Sequence, residues 1–283
     1  MPANIPNRSF KADSNLGIEA ITGMAVFGAA FVGFMIPLLF KWHKQAKIIS
    51  FAFAVACAFT AFGWGAFEAT VGLYNRCPQH RLVNLVLPSR TWFEVGSWVC
   101  VAFGTGYYLL TGRSAARLFA MGVGVASLGQ VLQVYMCNVE QQWFGWAFGV
   151  ISYACSALFL FVNAKRFDVW GLFILGAQVA LIPAVYATVL IFGYNFLRSF
   201  PLYHENIALL IMDFVTKVVM GIVMFFTAVA AEQYAKNYPG SQAALTPQET
   251  VVDYPVTGSH NWGGHGAQRL QSELESGISL LGK

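Results

Sequence analysis

The stretch "IMDFVTKVVMG", residues 211–221, places an aspartate and a lysine four residues apart inside an otherwise apolar run. Such a run is typical of a membrane helix, which needs ~20 largely apolar residues. A charged side chain inside a bilayer is costly and marks a functional site by default. Asp213 and Lys217 therefore indicate both the class of protein and the place of its chemistry.

The composition of the whole chain agrees with a membrane protein. Of its 283 residues, 57% are hydrophobic and only 11% are charged, whereas about 25% of the residues in a soluble chain are charged. The sequence predicts an all-α bundle of seven transmembrane helices. The apolar stretches that carry this prediction are 17–40, 48–74, 88–112, 115–136, 143–164, 169–194 and 204–232.

The basic residues between the stretches predict the orientation of the bundle. Short cytoplasmic loops carry an excess of Lys and Arg, and the basic cluster "KWHKQAK", residues 41–47, follows the first stretch. We therefore expect the N-terminus outside and the C-terminus inside. This gives an extracellular tail at 1–16, a membrane domain at 17–236 and a flexible cytoplasmic tail at 237–283, which is rich in Pro, Gly, Ser and Thr.

Lys217 is expected near the middle of the bilayer. It follows His204 by thirteen residues, which is ~20 Å at ~1.5 Å per residue, so its amine cannot reach either surface. Asp213 lies one turn away on the same helix face and offers an anionic partner. A lysine amine removed from water gives up its proton more readily and becomes a nucleophile toward aldehydes. A purely structural ion pair is the alternative.

Arg90 and Glu94 repeat the four-residue spacing in the third stretch. If this helix runs inward, both side chains lie at a depth similar to that of Asp213, just outside Lys217. A cationic centre at Lys217 would explain two carboxylates in apolar surroundings, with Arg90 balancing the second carboxylate. We expect these four side chains to form one cluster.

The run "DFVTKVVMG" resembles the seventh helix of the microbial (type 1) rhodopsins. The resemblance implies that Lys217 carries retinal through a Schiff base and that Asp213 belongs to its counterion. Gly221 matches the glycine that follows the lysine in that family. Seven helices and an inside C-terminus agree with the resemblance.

The sixth stretch is also similar to the family. Its run "IPAVYATVLIFG", residues 182–193, aligns Tyr186 with the tyrosine of the retinal pocket. It departs from the family at two positions, because Pro183 stands where a tryptophan is usual and Ala187 where a proline is usual. These departures bear on how the ring of retinal packs.

Two registers are possible for the third helix, because the family spaces its arginine and counterion three residues apart. In the first register Glu94 is a counterion, Trp98 walls the retinal and Arg90 belongs to the counterion network. In the second register Arg90 keeps its place, Phe93 replaces the counterion and Ser97 stands one turn on, as in the inward proton-pumping branch. We prefer the first register, because in the second one the Glu94 carboxylate would face lipid or a neighbour and destabilise the protein without a compensating interaction.

Several aromatic side chains could line a slot for the polyene of retinal, although ordinary helix packing explains each of them. We assign only Trp98 and Tyr186 to the pocket. The full set is Trp64, Trp92, Trp98, Tyr153, Phe173, Tyr186 and Phe214.

The resemblance implies a protein that responds to light. Isomerisation of retinal would move the proton of the Schiff base relative to Glu94 and Asp213. On the inner side, outward pumps of the family usually carry a carboxylic proton donor eleven residues after the counterion. That position is Thr105, with no acid within two turns, so we expect slow reprotonation from inside.

We expect light-driven translocation of protons or another small ion, without enzymatic activity. A light sensor that uses the C-terminal tail, or a light-gated ion channel with Glu68 in its lining, is the alternative. A receptor for a diffusible ligand is disfavoured, because the third stretch does not end in an acidic-arginine-aromatic triplet. We expect a bilayer location in the plasma membrane, a capacity for homo-oligomers, no metal site and no nucleic-acid partner.

Overall fold

Seven helices make up nearly all of the chain that the structure, a computed structural model, describes. The prediction of an all-α, seven-helix fold is confirmed. The described residues are 14–40, 44–70, 75–76, 83–84, 88–110, 113–136, 139–182, 188–189 and 202–237. The helices are α1 (Ser14–Leu39), α2 (Lys44–Thr70), α3 (Pro88–Leu109), α4 (Arg113–Tyr135), α5 (Val139–Asn163), α6 (Val169–Gly176, continued by a π-helical segment at Ala177–Leu181) and α7, which comprises Leu202–Asp213, a π-helical segment at Phe214–Val219, and Met220–Asn237.

The helices are those of an integral, multi-pass membrane protein. Within the described ranges, five helical segments are long and apolar enough to cross a bilayer, and α6 contributes a shorter apolar run. Helix α3 is 22 residues long but is not among these five segments, because it is less apolar over its length. The five segments are Ile18–Leu39, Lys44–Ala66, Arg113–Gln133, Glu140–Asn163 and His204–Gln233.

Several helices extend beyond the apolar stretches that predicted them. Helix α2 begins at Lys44 rather than 48, α5 begins at Val139 rather than 143, and α7 continues to Asn237. The length of an apolar stretch matches the thickness of the hydrocarbon core of a bilayer, whereas the helix itself can continue into the polar headgroup region. Helix α3 begins at Pro88 as expected, since proline suits the first helical position.

The long connection between α2 and α3 contains a short antiparallel pair that the sequence did not predict. Strands β1 (Asn75–Arg76) and β2 (Val83–Asn84) pair with Asn75 opposite Asn84. Two residues per strand are too few to show an alternating pattern of hydrophobicity. The pair is thus a local departure from the all-α prediction.

Consecutive helices pack side by side from α1 to α5, and α7 contacts α1, α2 and α3. Helix α6 contacts α3, α5 and α7. Large side chains such as Phe27, Phe53, Trp64 and Met224 are fully buried between the helices, whereas many other apolar side chains face outward, as lipid requires. This packing places the middle of α7 beside α2 and α3.

Helices α4 and α5 approach each other closely at two glycines. A Cβ atom on Gly129 would lie 2.5 Å from Cα of Gly149. Small residues let helix backbones meet in a bilayer, where van der Waals packing drives association. This crossing fixes one wall of the cavity described below.

The predicted tails fall almost entirely outside the described residues. The chain divides into two units, Met1–Gln248 and Glu249–Lys283, and the second lies wholly outside the described residues. The three-part organisation at 1–16, 17–236 and 237–283 stays a prediction. The orientation of the termini also stays a prediction.

Candidate functional site

Lys217 lies in a widened turn of α7 at the centre of the bundle. The amide N–H of Met220 donates to the carbonyl of Val215, five residues back. The hydroxyl of Thr216 donates to the carbonyl of Met212 at 2.8 Å. Turns of this π type are rare and occur frequently at functional sites. The turn directs the lysine into the bundle, where it is fully buried.

A glycine allows this part of α7 to approach α1 and α2. A Cβ atom on Gly221 would lie 2.7 Å from ring atoms of both Phe34 and Phe53. No larger residue fits this position without moving two aromatic rings. Gly221, one turn after Lys217, therefore holds the lysine close to its neighbours.

The Lys217 amine contacts two carboxylates. Its Nζ atom lies 2.7 Å from Oε2 of Glu94 and 2.8 Å from Oδ1 of Asp213. The Asp213 side chain is fully buried, and that of Glu94 is 13% exposed. Charge-assisted hydrogen bonds of this length are about twice as strong as neutral ones. The amine thus links α3 to α7.

Three of the four residues predicted to cluster are in contact. Arg90 lies in the first turn of α3, and its side chain is outside the described part of the structure. The same holds for the side chain of Glu68 at the end of α2. The roles assigned to Lys217, Asp213 and Glu94 stay predictions, and the geometry supplies the contacts those roles require.

Neighbouring residues of α3 face different helices. Phe93 packs against Phe59 and Phe62 of α2, with ring centroids 6.4 and 6.2 Å apart. Glu94, the next residue, faces Lys217 instead. The first of the two registers requires this contact of Glu94, with Trp98 one turn further along the same face, and the choice of register stays a prediction.

A hydroxyl pair holds α3 in this rotation. The hydroxyls of Ser97 and Thr60 are 2.9 Å apart, and each lies 3.0 Å from the carbonyl of Ala56. All three residues are buried. Because Ser97 is tied to α2, Glu94 is turned toward α7.

Cys57 of α2 also reaches the widened turn. Its thiol lies 4.0 Å from the carbonyl of Lys217 and donates to it. The sequence analysis assigned no role to Cys57 or Thr60. The available signal was their spacing, three residues apart on one face of α2 in an apolar run.

Trp98 lines a cavity of about 160 Å³. Its ring centroid is 5.5 Å from Nζ of Lys217. Helices α4, α5 and α6 contribute Val123, Trp146 and Ile182 to the lining. A dry cavity of ~150 Å³ accommodates benzene, so this one has room for a six-membered ring. The residues present therefore fit the ring end of retinal.

The predicted pocket aromatics are only partly brought together. Trp98 and Tyr153 line the cavity, whereas Trp92, Phe173 and Phe214 are exposed on the outside of the bundle. Tyr186, the second residue assigned to the pocket, lies outside the described residues.

A neutral polar network occupies the region around Thr105. The Gln178 amide nitrogen is 3.5 Å from Oγ1 of Thr105, and both residues are buried. The hydroxyl of Tyr153 lies 3.1 Å from Oε1 of Gln178 and 3.0 Å from its carbonyl oxygen. The network joins α3, α5 and α6 through amide and hydroxyl groups.

Two further carboxylates are buried in the described structure. Glu19 of α1 and Glu205 in the first turn of α7 are 6% and 4% exposed. The sequence analysis gave neither a role, because acidic residues near the end of an apolar stretch usually reach the polar layer.

Comparisons with solved structures identify the fold. No protein-family model matches the sequence, and no curated protein sequence does either. A proton-pumping rhodopsin from the marine alga Acetabularia acetabulum matches with a TM-score of 0.64 and 13% identity over 79% of this chain and 97% of that one. A light-driven proton pump from Leptosphaeria maculans matches with a TM-score of 0.65 and 14% identity over 77% and 97%.

A different kind of rhodopsin has the same fold. The transmembrane domain and linker region of a rhodopsin phosphodiesterase from Salpingoeca rosetta matches with a TM-score of 0.62 and 11% identity over 92% of this chain and 86% of that one. The chain therefore has the microbial rhodopsin fold, as the resemblance in α7 implied. Its neighbours include both pumps and the membrane domain of an enzyme, so the fold alone does not assign an activity.

Proposed function

We propose that this protein binds retinal covalently at Lys217 and uses light to move protons, or another small ion, across the plasma membrane. The observation that carries the proposal is a fully buried amine held 2.7 and 2.8 Å from two carboxylates, next to a cavity. A structural ion pair would account for the contacts but would need no adjoining cavity.

The surroundings of Lys217 suit its attachment to an aldehyde. The neutral amine forms a carbon–nitrogen double bond with the aldehyde carbon, and the carbonyl oxygen leaves as water. Glu94 and Asp213 then stabilise the positive charge on the protonated nitrogen. Trp98 would wall the polyene on the α3 side, and Tyr186 is the expected contact from α6.

Bound retinal supplies a light-driven isomerisation next to this charged nitrogen. The two carboxylates differ in access, because Asp213 is fully buried and the Glu94 side chain is 13% exposed. We therefore assign Glu94 as the group that accepts the proton and passes it on. Asp213 keeps its negative charge and orients the nitrogen through its contact within α7.

Reconstitution tests the attachment. All-trans retinal added to the purified apoprotein should give a visible absorption band, and Lys217→Ala should abolish that band. Lys165→Ala removes an exposed lysine in the connection between α5 and α6 and should leave the band intact. A wild-type protein that gives no band would overturn the proposal.

Illumination of intact cells in weak buffer tests transport and the plasma-membrane location together. A light-induced pH change that a protonophore abolishes indicates proton pumping. A change that the protonophore enhances indicates transport of another ion, with protons following passively. Cells that form the visible protein at their surface but show no change would contradict translocation.

Light sensing is the second candidate, favoured by the network around Thr105. Threonine and glutamine there cannot supply a proton as a carboxylic acid does, so we expect slow recovery after illumination. A neighbouring structure is the membrane domain of a rhodopsin phosphodiesterase, which is compatible with a sensory use of this fold. A long-lived photoproduct in flash photolysis, without light-induced pH changes, would favour the sensor over the pump.

A further inference from the structure

We infer that the cavity beside Trp98 takes the ring end of an oxygenated retinoid, one whose ring carries a hydroxyl or keto oxygen. The inference rests on the proposed attachment of a retinoid at Lys217. It concerns the ring end of that ligand, away from the aldehyde, and the substituents of the ring define the chemical class of the retinoid.

The position of Trp98 makes the cavity the continuation of the lysine site. Its ring centroid is 5.5 Å from Nζ of Lys217, and the same side chain lines the cavity. A polyene attached at the lysine and passing along Trp98 therefore ends in the cavity. The volume of about 160 Å³ suits a substituted six-membered ring.

The α4 wall of the cavity has a polar part beside Val123 and Ala126, which an unsubstituted hydrocarbon ring does not require. Ser127, Gln130 and Gln133 line it from one helix face at intervals of three residues. Ser127 already donates to the carbonyl of Val123 at 2.9 Å. A purely apolar ring would place hydrocarbon against this wall and gain nothing from its amide groups.

Trp146 of α5 supplies the second and more specific observation. Its indole nitrogen is buried in the cavity lining and, in the described structure, makes no hydrogen bond. A buried tryptophan N–H usually finds a partner, and leaving it without one is costly. The indole N–H is a donor only, so the missing partner must be an acceptor, such as an oxygen on a ligand ring.

Competition between ligands tests the inference directly. Limiting apoprotein is offered equal amounts of all-trans retinal and either 3-hydroxyretinal or 4-oxoretinal. Borohydride reduction fixes the adducts, and the intact-protein mass distinguishes them by their oxygen. We expect at least one oxygenated ligand to be enriched roughly three- to tenfold, as one buried hydrogen bond supplies.

Two tryptophan variants on α5 form a matched pair. Trp146→Phe keeps a ring but removes the N–H, and should bring the enrichment close to one. Trp143→Phe makes the same change at an exposed position one turn earlier and should keep the wild-type preference. The visible band with plain retinal confirms that each variant is folded.

The outcomes separate this inference from the proposed function. Adducts formed without any preference in the wild type would overturn the inference alone and would indicate that water satisfies Trp146. A preference that survives Trp146→Phe would also overturn it. The absence of every adduct would contradict attachment at Lys217 and remove the basis of both.

Discussion

At the residue scale, the two ion pairs of Lys217 offset the free energy that burial of its charged amine costs. Removing one partner from a buried ion pair costs about 3–5 kcal/mol, because the remaining charge is left uncompensated. Glu94 and Asp213 each contact the amine, from α3 and from within α7. A substitution that keeps the shape of one carboxylate but removes its charge separates the electrostatic role from the packing role.

Glu94→Gln should shift the visible band of the reconstituted protein to the red. A negative charge close to the nitrogen stabilises the ground state, in which the positive charge resides there. Its removal lowers the excitation energy by an amount on the order of a few kcal/mol. Glu140→Gln, an exposed carboxyl in the first turn of α5, should leave the band in place. An unmoved band in Glu94→Gln would favour the register in which Phe93 faces the chromophore.

Thr105→Glu should shorten the slowest phase of recovery after a flash. A positioned acid contributes about 10²–10⁴ to the rate of a proton transfer, so we expect an acceleration of at least roughly tenfold. Thr105→Val removes the hydroxyl that contacts Gln178 and should give no acceleration. Equal recovery in Thr105→Glu and wild type would show that reprotonation does not pass this position.

The charged residues of the site were predictable because charge is rare in an apolar helix. Asp213, Lys217 and Glu94 stand out for that reason alone. The hydroxyls and the thiol around them were not predictable. Thr60 contacts the carbonyl four residues back on its own helix, so nothing in the sequence shows that such a residue also ties two helices together, as Thr60 does with Ser97.

At the scale of elements, the crossing of α4 and α5 depends on the absence of side chains. The backbones are so close that a methyl group on Gly129 has no space, and one on Gly149 would lie only 3.1 Å from the carbonyl oxygen of Ala126. In a bilayer such close packing supplies the association of helices, because lipid already satisfies their apolar surfaces. The crossing is therefore a sensitive point of the bundle.

Gly129→Ala should lower the free energy of unfolding by about 1–3 kcal/mol, as overpacking usually does. Gly28→Ala is the matched control, since a Cβ atom there meets nothing within 4 Å. Alanine favours a helix by up to about 1 kcal/mol over glycine, so the control should be neutral or stabilised. Detergent-induced unfolding measures both variants. Equal stability of the two would contradict a tight crossing.

The number and order of the helices could be predicted, but their details could not. The length of an apolar stretch identifies a membrane-spanning helix, and the start of α3 was predicted correctly from Pro88. The π-helical segments at Ala177–Leu181 and Phe214–Val219 leave no mark in composition or periodicity, because packing against neighbours decides them. The β1–β2 pair was missed for a similar reason.

At the scale of the whole molecule, the fold persists where sequence similarity has nearly vanished. The chain matches a proton-pumping rhodopsin at 13% identity with a TM-score of 0.64. A bilayer leaves a chain few options, since backbone groups must be satisfied within helices. An apolar pattern therefore specifies the bundle, and a few charged positions inside it carry the information about chemistry.

Removal of residues 249–283, the second unit of the chain, should leave the visible band and the unfolding midpoint of the bundle unchanged. The membrane domain contains Lys217 and all of its described contacts, so we expect its stability not to depend on this segment. Spectroscopy and thermal unfolding of the truncated protein measure this. A loss of the band on truncation would show that the segment supports the site. A pump should also keep its light-induced pH change.

The wide turn at Phe214–Val219 has a consequence for comparing α7 with other chains. Its hydrogen bond closes over five residues, so the helix spends one residue more there than an α-helix would. One residue corresponds to about 100° of rotation. The inward-facing positions after the turn are therefore shifted by one residue from those that the pattern before the turn would predict. If α7 is aligned without a gap to a straight transmembrane helix, inward-facing residues are paired with lipid-facing residues either before or after the turn. A gap of one residue beside the lysine restores the correct pairing, although alignment scoring disfavours a gap inside a helix.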